Sequence, residues 1–469
     1  MFDQGSELSQ FVTSLLAILQ SVNHDGVNLI REPNQGTVDA IRLLRDEDVI
    51  VRGSYVVRGA GDHGGGGLIC HVAHATGRHA DSPRFGHRIS LVPELIAFDL
   101  PQGPAMLAAL ADAWEAGHAV TVLDPRWGTE ARQSAMRALR PMQRLDHDGV
   151  HRLDDGIGTE AGDALVVLTS GSVSAPKAAI LTMEAVVASA EMTTHALGID
   201  PGQHRWLCCL PAVHIGGLSV MARSLVTGTP CDVIDRPDPA ELERAAHRGA
   251  THASLVTTAL GRIDPTIFEM ILLGGAAPPA ALPRNVVTTY GMTETGSGVV
   301  YDGLPLPGVE LAIEAPDSDG LGEVLIASPT ALRSYRDRPA PLVAGPDGSG
   351  RWLATGDAGQ LDDTGHLRVR GRLSEVIVTG GEKVYPVDVE RVIGSLDGVE
   401  SVAVWKRPDE VWGERVVAWV VPGGEPPTLA AIQGVVREQL APYASPKELV
   451  LTDTLPKTAN GKIRRALLS

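Results

Sequence analysis

Residues 164–177 read ALVVLTSGSVSAPK, an apolar run that leads into a loop rich in hydroxyl groups and ends in lysine. The five apolar residues 164–168 predict a short buried strand. Backbone N–H groups and hydroxyls in a tight turn after a strand suit phosphate oxygens. The GxxxxGK[ST] spacing of a Walker A motif is absent, so the loop alone indicates either a phosphate site or an ordinary polar turn. The candidate phosphate-binding residues are Thr169, Ser170, Gly171, Ser172 and Lys177.

Strands and helices alternate on both sides of this stretch. Amphipathic or apolar patterns predict helices, and short apolar runs bounded by turn residues predict buried strands. Such alternation is typical of a layered α/β fold with largely parallel sheet. The predicted helices are 105–117 and 184–197, and the predicted strands are 119–123, 164–168, 206–210, 253–256 and 270–273.

The sequence pattern changes near residue 370. RGRLS at residues 370–374 precedes a predicted strand at 375–378, a Gly-Gly turn and a helix that begins at Pro386. A chain of 469 residues is too long for one hydrophobic core. We therefore predict a large N-terminal domain, 1–373, and a small C-terminal domain, 374–469. Residues 1–90 carry no pattern to which we assign a role.

Composition narrows the function classes. The formal net charge of −17 argues against a nucleic-acid partner, whereas local cations can still bind anions such as ATP or CoA. The four cysteines form no CxxC pair, so we expect a reduced, cytoplasmic compartment. The N-terminus lacks the basic region of a signal peptide, and no stretch approaches the ~20 apolar residues of a membrane span. We therefore expect no stable membrane insertion, and the sequence leaves a homodimer open.

Two further stretches carry residues suited to nucleotide chemistry. TYGMTET at residues 289–295 places Glu294 beside hydroxyls, and a carboxylate with phosphate oxygens is a ligand set that Mg²⁺ prefers. The alternative is a capped helix start, with Thr293 or Thr295 as the N-cap. GGAAP at residues 274–278 follows an apolar strand, and its small residues would let a flat ring approach the backbone.

A lysine near the chain end completes the pattern. PKTANGKIR at residues 456–464 places Lys462 after a glycine. A terminal lysine is ordinarily solvated, but a point charge there could neutralise the anion that forms when a carboxylate attacks a phosphate.

In this order, the motifs resemble those of the adenylate-forming enzymes, the superfamily of acyl-CoA synthetases, peptide-synthetase adenylation domains and firefly luciferase. The resemblance runs over residues 169–462. It departs from the family's T-S-G-S-T-G-x-P-K-G loop at Val173, Ser174 and Ala178, and from its usual Asp or Lys hinge at Ser374. It implies a large N-terminal domain of layered α/β subdomains, a small mobile α+β C-terminal domain, and the use of ATP, Mg²⁺ and the co-substrate CoA.

The resemblance also implies roles for individual residues. Lys462 would bridge the carboxylate and the α-phosphate, and Glu294 would hold Mg²⁺. Tyr290 would lie against adenine and Thr293 on phosphate, while Asp357 and Arg372 would hold the ribose. The loop at Gly380 and Gly381 would line the pantetheine tunnel. The remaining nucleotide-side residues are Gly274, Gly275, Ala276, Gly291 and Met292.

The stretch 210–223, LPAVHIGGLSVMAR, carries the residues that indicate which acid is the substrate. His214 matches the family's pocket-gating position, and we assign it a catalytic role with Lys462 and Glu294. Arg223 falls in an apolar helical run, and a buried unpaired arginine needs an anion; the alternative is an exposed or structurally paired arginine. The spacing resembles the o-succinylbenzoate–CoA ligase family of menaquinone biosynthesis, in which an arginine here holds the second carboxylate. The predicted substrate-binding residues are His214, Gly217, Arg223, Thr295 and Ser297.

The resulting hypothesis is an AMP-forming acid–CoA ligase that acts on o-succinylbenzoate through an acyl-AMP intermediate. Three alternatives stay open. Another aryl- or medium-chain acyl-CoA synthetase would use Arg223 structurally, and a stand-alone adenylation enzyme would load a carrier protein. A non-catalytic nucleotide-binding relative is suggested by Ser174, Ala178 and Ser374.

Overall fold

A computed structural model describes residues 93–169, 176–276, 278–279, 281–346, 348, 350–457 and 463–468, with the two short segments 55–56 and 69–70. The chain forms two compact units, residues 1–77 and 78–469. In the first unit, strands β1 (Tyr55–Val56) and β2 (Ile69–Cys70) pair antiparallel. The other elements that the structure describes belong to the second unit.

The first large sheet has seven strands and carries the Ser/Gly loop. Its inner strands are parallel, and antiparallel strands lie at its edges. Its strand order is β18-β8-β7-β4-β3-β5-β6. The strands are β3 (Leu95–Phe98), β4 (Ala119–Val122), β5 (Gln143–Asp146), β6 (Gly149–Arg152), β7 (Asp163–Thr169), β8 (Lys177–Thr182) and β18 (Ser334–Tyr335).

The second sheet also has seven strands, in the order β10-β9-β11-β12-β13-β14-β15. Five strands run parallel, and the last two continue antiparallel. The strands are β9 (Trp206–Cys208), β10 (Cys231–Val233), β11 (His252–Leu255), β12 (Met270–Leu273), β13 (Val286–Met292), β14 (Ser297–Tyr301) and β15 (Leu304–Pro305).

Two smaller sheets follow. The third is wholly antiparallel, which the alternation of strands and helices did not predict; it comprises β16 (Glu310–Glu314), β17 (Gly322–Ala327), β19 (Leu342–Val343), β20 (Trp352–Leu361) and β21 (Leu367–Arg372). The fourth is antiparallel except for its parallel β25–β26 pair. It comprises β22 (Ile377–Thr379), β23 (Glu382–Val384), β24 (Val399–Asp409), β25 (Gly413–Pro422) and β26 (Glu448–Leu451).

The helices cover the sheets with apolar faces, and local sequence explains several of their starts. Pro104 opens α1 in the first turn, where its missing N–H costs no hydrogen bond. The Thr182 hydroxyl accepts the Ala185 N–H at 3.2 Å and so caps α3. The helices are α1 (Pro104–Glu115), α2 (Thr129–Leu139), α3 (Met183–Ala196), α4 (Ile215–Thr227), α5 (Pro239–His247), α6 (Thr257–Leu260), α7 (Pro386–Gly394) and α8 (Leu429–Gln439).

The main core lies between the first two sheets. It joins apolar residues of both sheets with the faces of α1, α3 and α4. A separate core packs the fourth sheet against α7 and α8. The described candidate site residues lie on strands of these sheets, on helix α4 and in the short turns between elements, and turns positioned by a rigid scaffold suit a binding site.

Candidate active site

Glu294 lies in a one-turn 3₁₀ helix, Thr293–Thr295, between β13 and β14. The Thr295 hydroxyl accepts the Met292 N–H at 2.9 Å and lies 2.8 Å from the Ser297 carbonyl. Thr295 is fully buried. The alternative of a capped helix start is thus correct in part. A short helix begins here and the Thr295 side chain caps it from the third helical position, but the N-cap residue is Met292 rather than Thr293 or Thr295. Its predicted contact with substrate stays a prediction.

The Glu294 side chain meets Tyr335 of the first sheet, and Tyr335 in turn meets Lys177 of the same sheet. The Tyr335 hydroxyl donates to Glu294 Oε1 at 2.8 Å. The Lys177 ammonium lies 5.3 Å from the centre of the Tyr335 ring, a cation–π distance. Burial and the nearby Glu294 raise the pKa of Tyr335 well above its usual range, so the phenol keeps its proton. Two predicted phosphate-site residues, Lys177 and Glu294, are therefore joined through a tyrosine that sequence reasoning missed.

Asp357, Arg372 and Tyr290 form a second cluster. Asp357 and Arg372 are directly opposite each other on β20 and β21, with Arg372 Nε 3.0 Å from Asp357 Oδ1. The Tyr290 hydroxyl donates to Asp357 Oδ2 at 2.8 Å. Burial and the nearby Asp357 raise the pKa of Tyr290 well above its usual range. The predicted ribose pair and the predicted adenine residue are thus brought together.

Glycines let the backbone approach closely beside these clusters. A Cβ on Gly291 would lie 2.1 Å from the Ser297 carbonyl oxygen, and one on Gly274 would lie 2.6 Å from Thr289 Oγ1. Gly275 has a φ of +86°, which favours glycine. Gly274, Gly275 and Ala276 follow β12 as predicted, and the last two are exposed.

His214 and Gly217 lie at the start of α4. His214 is the N-cap residue, and it lies near the buried Asp124, whose pKa is lowered against the effect of burial chiefly by hydrogen bonds from Arg126. A Cβ on Gly217 would lie 2.2 Å from the Leu210 carbonyl oxygen, so glycine allows α4 to pack against the preceding loop. The structure thus gives Gly217 a packing role, and its predicted contact with substrate remains a prediction.

Arg223 is the one charged residue of α4, and it is buried. It is 1% exposed, and its guanidinium carbon lies 4.7 Å from the centre of the Trp206 ring. Among the described residues, Arg223 Nε and Nη1 have no hydrogen-bond partner. Burial lowers the pKa of Arg223, and nearby Tyr301 and Cys231 act in the opposite direction. The alternative of an exposed arginine is wrong, and the cation–π contact is the partner that a structural role would use.

A small cavity lies between α3 and α4, lined in part by Ala222 and Ser219 of α4. Ser219, one turn before Arg223, lines it and donates to Ser297 Oγ at 3.3 Å. The cavity measures about 10 Å³, whereas pockets for organic ligands typically measure about 300–1,000 Å³. An aromatic acid would therefore need side chains or helices here to move. Its lining residues are Leu165, Val186, Ser189, Ala190, Ile215, Ser219, Ala222 and Gly296.

Gly380 and Gly381 form the two-residue turn between β22 and β23. Both have positive φ, +60° and +87°, as a type I′ hairpin requires. A Cβ on Gly380 would also lie 2.7 Å from the Trp412 ring. The turn therefore needs glycine for its geometry, and its predicted place beside pantetheine stays a prediction.

Arg465 ties the end of the chain to the predicted hinge. It pairs with Glu375 at 2.6 Å and with Glu390 at 2.8 Å. Ser374 is exposed in the 3₁₀ segment Leu373–Glu375. This network joins residues 90 and 75 positions apart, and sequence spacing alone offered no signal for it. The predicted residues Ser170, Gly171, Ser172 and Lys462 lie outside the described residues.

Comparison with known proteins identifies the family. The sequence model for AMP-binding enzymes matches residues 143–336, and that for the AMP-binding enzyme C-terminal domain matches 388–462. A probable 2-succinylbenzoate–CoA ligase of Mycobacterium tuberculosis is 37% identical over 361 residues, covering 72% of this chain and 88% of that protein. The 2-succinylbenzoate–CoA ligase of Enterococcus faecalis is 32% identical, covering 70% of this chain and 73% of that protein.

Solved structures that resemble this chain come from the same class of enzyme as these sequence relatives. The o-succinylbenzoate CoA synthetase of Bacillus subtilis, in complex with its acyl-adenylate intermediate, gives a TM-score of 0.70 at 27% identity, covering 81% of this chain and 89% of that chain. The same enzyme with ATP and magnesium gives 0.69 at 27% identity, covering 81% and 90%. Among the described residues, no helix is long and apolar enough to cross a membrane.

These matches confirm the predicted superfamily and fold class. Two family domains match the chain in the expected order, and the relatives reported above are acid–CoA ligases. The chain belongs to the AMP-binding enzyme family, and within it to the acid–CoA ligases similar to 2-succinylbenzoate–CoA ligase.

Proposed function

We propose that this chain is an ATP-dependent 2-succinylbenzoate–CoA ligase of menaquinone biosynthesis. In the first half-reaction the substrate carboxylate attacks the α-phosphorus of ATP, giving acyl-AMP and pyrophosphate. In the second, the CoA thiolate attacks the acyl carbon, giving the thioester and releasing AMP. The burial of Arg223 without a carboxylate partner among the described residues is the structural observation that carries this assignment, and the relatives' names agree with it.

The phosphate side of the site fits Mg²⁺ and a triphosphate. Tyr335 engages Glu294 Oε1, and Oε2 accepts no hydrogen bond from the described residues, which leaves one carboxylate oxygen as a ligand. Mg²⁺ typically uses one or two carboxylates with phosphate oxygens. When bound, the ion would neutralise charge on the phosphates. Lys177, beside Tyr335, would contribute a second positive charge, and Thr293 and the loop residues 169–172 would contact phosphate oxygens.

The nucleoside side is arranged before ATP arrives. Asp357 is held by Arg372 and Tyr290, so its carboxylate has a fixed direction in which to accept ribose hydroxyls. The absence of side chains at Gly274 and Gly275 would leave flat surface for adenine. Prearranged groups of this kind reduce the entropy lost on binding.

Arg223 would recognise the second carboxylate of the acid. Removing an arginine from water is costly unless an anion compensates. A carboxylate beside the guanidinium would accept a charge-assisted hydrogen bond from Nε or from Nη1, the two nitrogens that lack a partner among the described residues. A simple benzoate or fatty acid offers no such group, so Arg223 would favour dicarboxylic aryl acids.

The second half-reaction would use a mobile C-terminal domain. We place the boundary at residues 373 and 374, where the third sheet ends at Arg372 and the fourth begins at Ile377. Lys462 would serve adenylation, and the turn at Gly380 and Gly381 would approach pantetheine after rotation. Action as a homodimer and a cytoplasmic location remain predictions.

One observation favours a second candidate, another aryl-CoA synthetase. The stacking of Arg223 on Trp206 is a partner that a structural arginine would use. In that case Arg223 would support the core and leave substrate choice to other residues. Arg223→Met separates a structural role of Arg223 from a role in substrate binding.

Arg223→Met should lower kcat/KM for 2-succinylbenzoate by about 30-fold or more, because the buried carboxylate loses a charge-assisted contact of about 2 kcal/mol or more. ATP affinity should stay near wild type, and any turnover of benzoate should change little. Arg205→Met is the matched control, since Arg205 is 40% exposed and paired with Asp232 on the surface of the second sheet. An equal loss for both acids would make Arg223 a structural residue and contradict the proposal.

A further inference from the structure

Three described residues from distant parts of the chain meet at the phosphate side. Glu294 lies between β13 and β14, Lys177 opens β8, and Tyr335 lies on the edge strand β18. Tyr335 is 6% exposed, and it touches both of the others, through its hydroxyl at 2.8 Å and its ring face at 5.3 Å. We propose that Tyr335 is a positioning residue that restricts Glu294 to a one-oxygen contact with the nucleotide's metal ion and holds Lys177 beside it.

The segment around Tyr335 fixes Glu294 at two points. The Tyr335 hydroxyl donates to Glu294 Oε1, and the Leu332 N–H donates to the Glu294 carbonyl at 2.7 Å. Backbone and side chain of Glu294 are thus held by residues only three positions apart. A glutamate alone has several rotamers of similar energy, and this double contact selects one of them before any ligand binds.

The hydroxyl also sets how the carboxylate can ligate. With Oε1 accepting a short hydrogen bond, Oε2 is the oxygen that faces a cation. Mg²⁺ demands octahedral geometry and takes single carboxylate oxygens, whereas Ca²⁺ accepts two oxygens of one carboxylate and more ligands overall. The Tyr335–Glu294 bond therefore favours the smaller ion.

The ring of Tyr335 acts on Lys177 through sheet register. Tyr335 is opposite Ala179 in the β18–β8 pair, and Lys177 lies two residues from Ala179 on the same face. The flexible lysine side chain is drawn over the aromatic ring. This places one positive charge close to the carboxylate that would hold the metal, on the side where the Ser/Gly loop begins.

This inference rests on the proposed use of ATP with Mg²⁺, and it needs no acid substrate for its test. The variant is Tyr335→Phe, which keeps the ring, and with it the Lys177 contact and the core packing, but deletes the hydroxyl. The readout is the dissociation constant of ATP, measured by calorimetry without acid or CoA, in EDTA, in Mg²⁺ and in Ca²⁺. Glu294→Gln is the positive control, and Tyr443→Phe, which removes a hydroxyl from a residue 39% exposed, is the matched control.

In Tyr335→Phe, metal-free ATP binding should stay within about twofold of wild type. The gain in affinity that Mg²⁺ provides should fall about tenfold, the value of one hydrogen bond to a charged group, and the preference for Mg²⁺ over Ca²⁺ should narrow. Tyr443→Phe should match wild type in every condition. An unchanged Mg²⁺ gain, or an equal loss with and without metal, would overturn the role given to Tyr335. If Mg²⁺ did not increase the affinity of the wild-type protein for ATP, the metal assignment and this inference would both be overturned. Rejection of 2-succinylbenzoate as a substrate would contradict the proposed function but would leave the metal assignment and this inference standing.

Discussion

Burial sets the charge of individual residues near Arg223. His252, on β11, is 3% exposed, and burial, with His204 and Arg223 nearby, lowers its pKa from 6.5 to about 4. Its ring lies against His204 and Trp206. His252 is therefore neutral at physiological pH, so it adds no positive charge that would repel the buried guanidinium of Arg223.

The protonation of His252 predicts a loss of stability in acid. Between pH 6.5 and about 4 the unfolded chain binds a proton at His252 that the folded chain does not, so stability falls as pH falls through this window. The shift from 6.5 to about 4 corresponds to about 3 kcal/mol. His252→Gln removes this titration, so its Tm should fall less than that of wild type between pH 7 and pH 4.5. Equal falls in both proteins would show that His252 does not contribute.

At the scale of elements, the pairing of β13 and β14 depends on one glycine. The register shifts between Tyr290 and Gly291, and the bulge brings Gly291 against the opposite backbone. A Cβ there would lie 2.1 Å from the Ser297 carbonyl oxygen and 2.7 Å from Gly298 Cα. Because both contacts are with backbone, no side-chain rotation relieves them. The same pair of strands carries Tyr290 on β13 and Glu294 in the turn that joins β13 to β14.

Gly291→Ala should lower Tm by several degrees and weaken ATP binding, because the strands must separate. Gly434→Ala is the matched control. Gly434 is in the interior of α8, where an added Cβ would have nothing within 4 Å, so alanine there should leave Tm unchanged or raise it slightly. A Gly291→Ala protein with wild-type Tm would contradict the close approach.

Sequence patterns predicted the secondary-structure elements better than they predicted the contacts between side chains. The apolar run 270–273 coincides with β12, and helices predicted at 105–117 and 184–197 appear as Pro104–Glu115 and Met183–Ala196. Local periodicity carries that information. The bond between Tyr335 and Glu294 spans 41 residues and depends on β18 adding to the edge of the first sheet, which no local pattern specifies. Resemblance supplied Asp357, Arg372 and Glu294, but it did not supply the tyrosine that holds one of them.

At the scale of the whole molecule, ion pairs lie on and around the predicted hinge, and one of them joins its two sides. Arg370, on β21, pairs with Asp388 on α7 at 2.9 Å, and Arg465 links Glu375 to Glu390. The first pair connects elements on opposite sides of Ser374, so a rotation about this residue would break it. The second lies wholly after Ser374 and would travel with the C-terminal domain.

Domain alternation predicts that the two half-reactions respond differently to loss of Lys462. Lys462→Ala should lower adenylate formation about 100-fold or more, because a cation aimed at developing charge is lost. Thioester formation from supplied acyl-AMP should stay near wild type, since that step would not use Lys462. Lys457→Ala, five residues earlier in the same segment, is the control and should leave both steps near wild type. Equal loss of both half-reactions in Lys462→Ala would contradict alternation.

The central claim is that this chain joins 2-succinylbenzoate to CoA through an acyl-adenylate. It is tested most directly by measuring pyrophosphate, AMP and thioester with purified protein, ATP, Mg²⁺, CoA and a panel of acids that includes 2-succinylbenzoate, benzoate and a medium-chain fatty acid. We expect 2-succinylbenzoate to give the highest kcat/KM and the three products to form in equal amounts. A higher kcat/KM for benzoate or the fatty acid would contradict the substrate assignment, and a protein that binds ATP but releases no pyrophosphate with any acid would contradict the ligase itself.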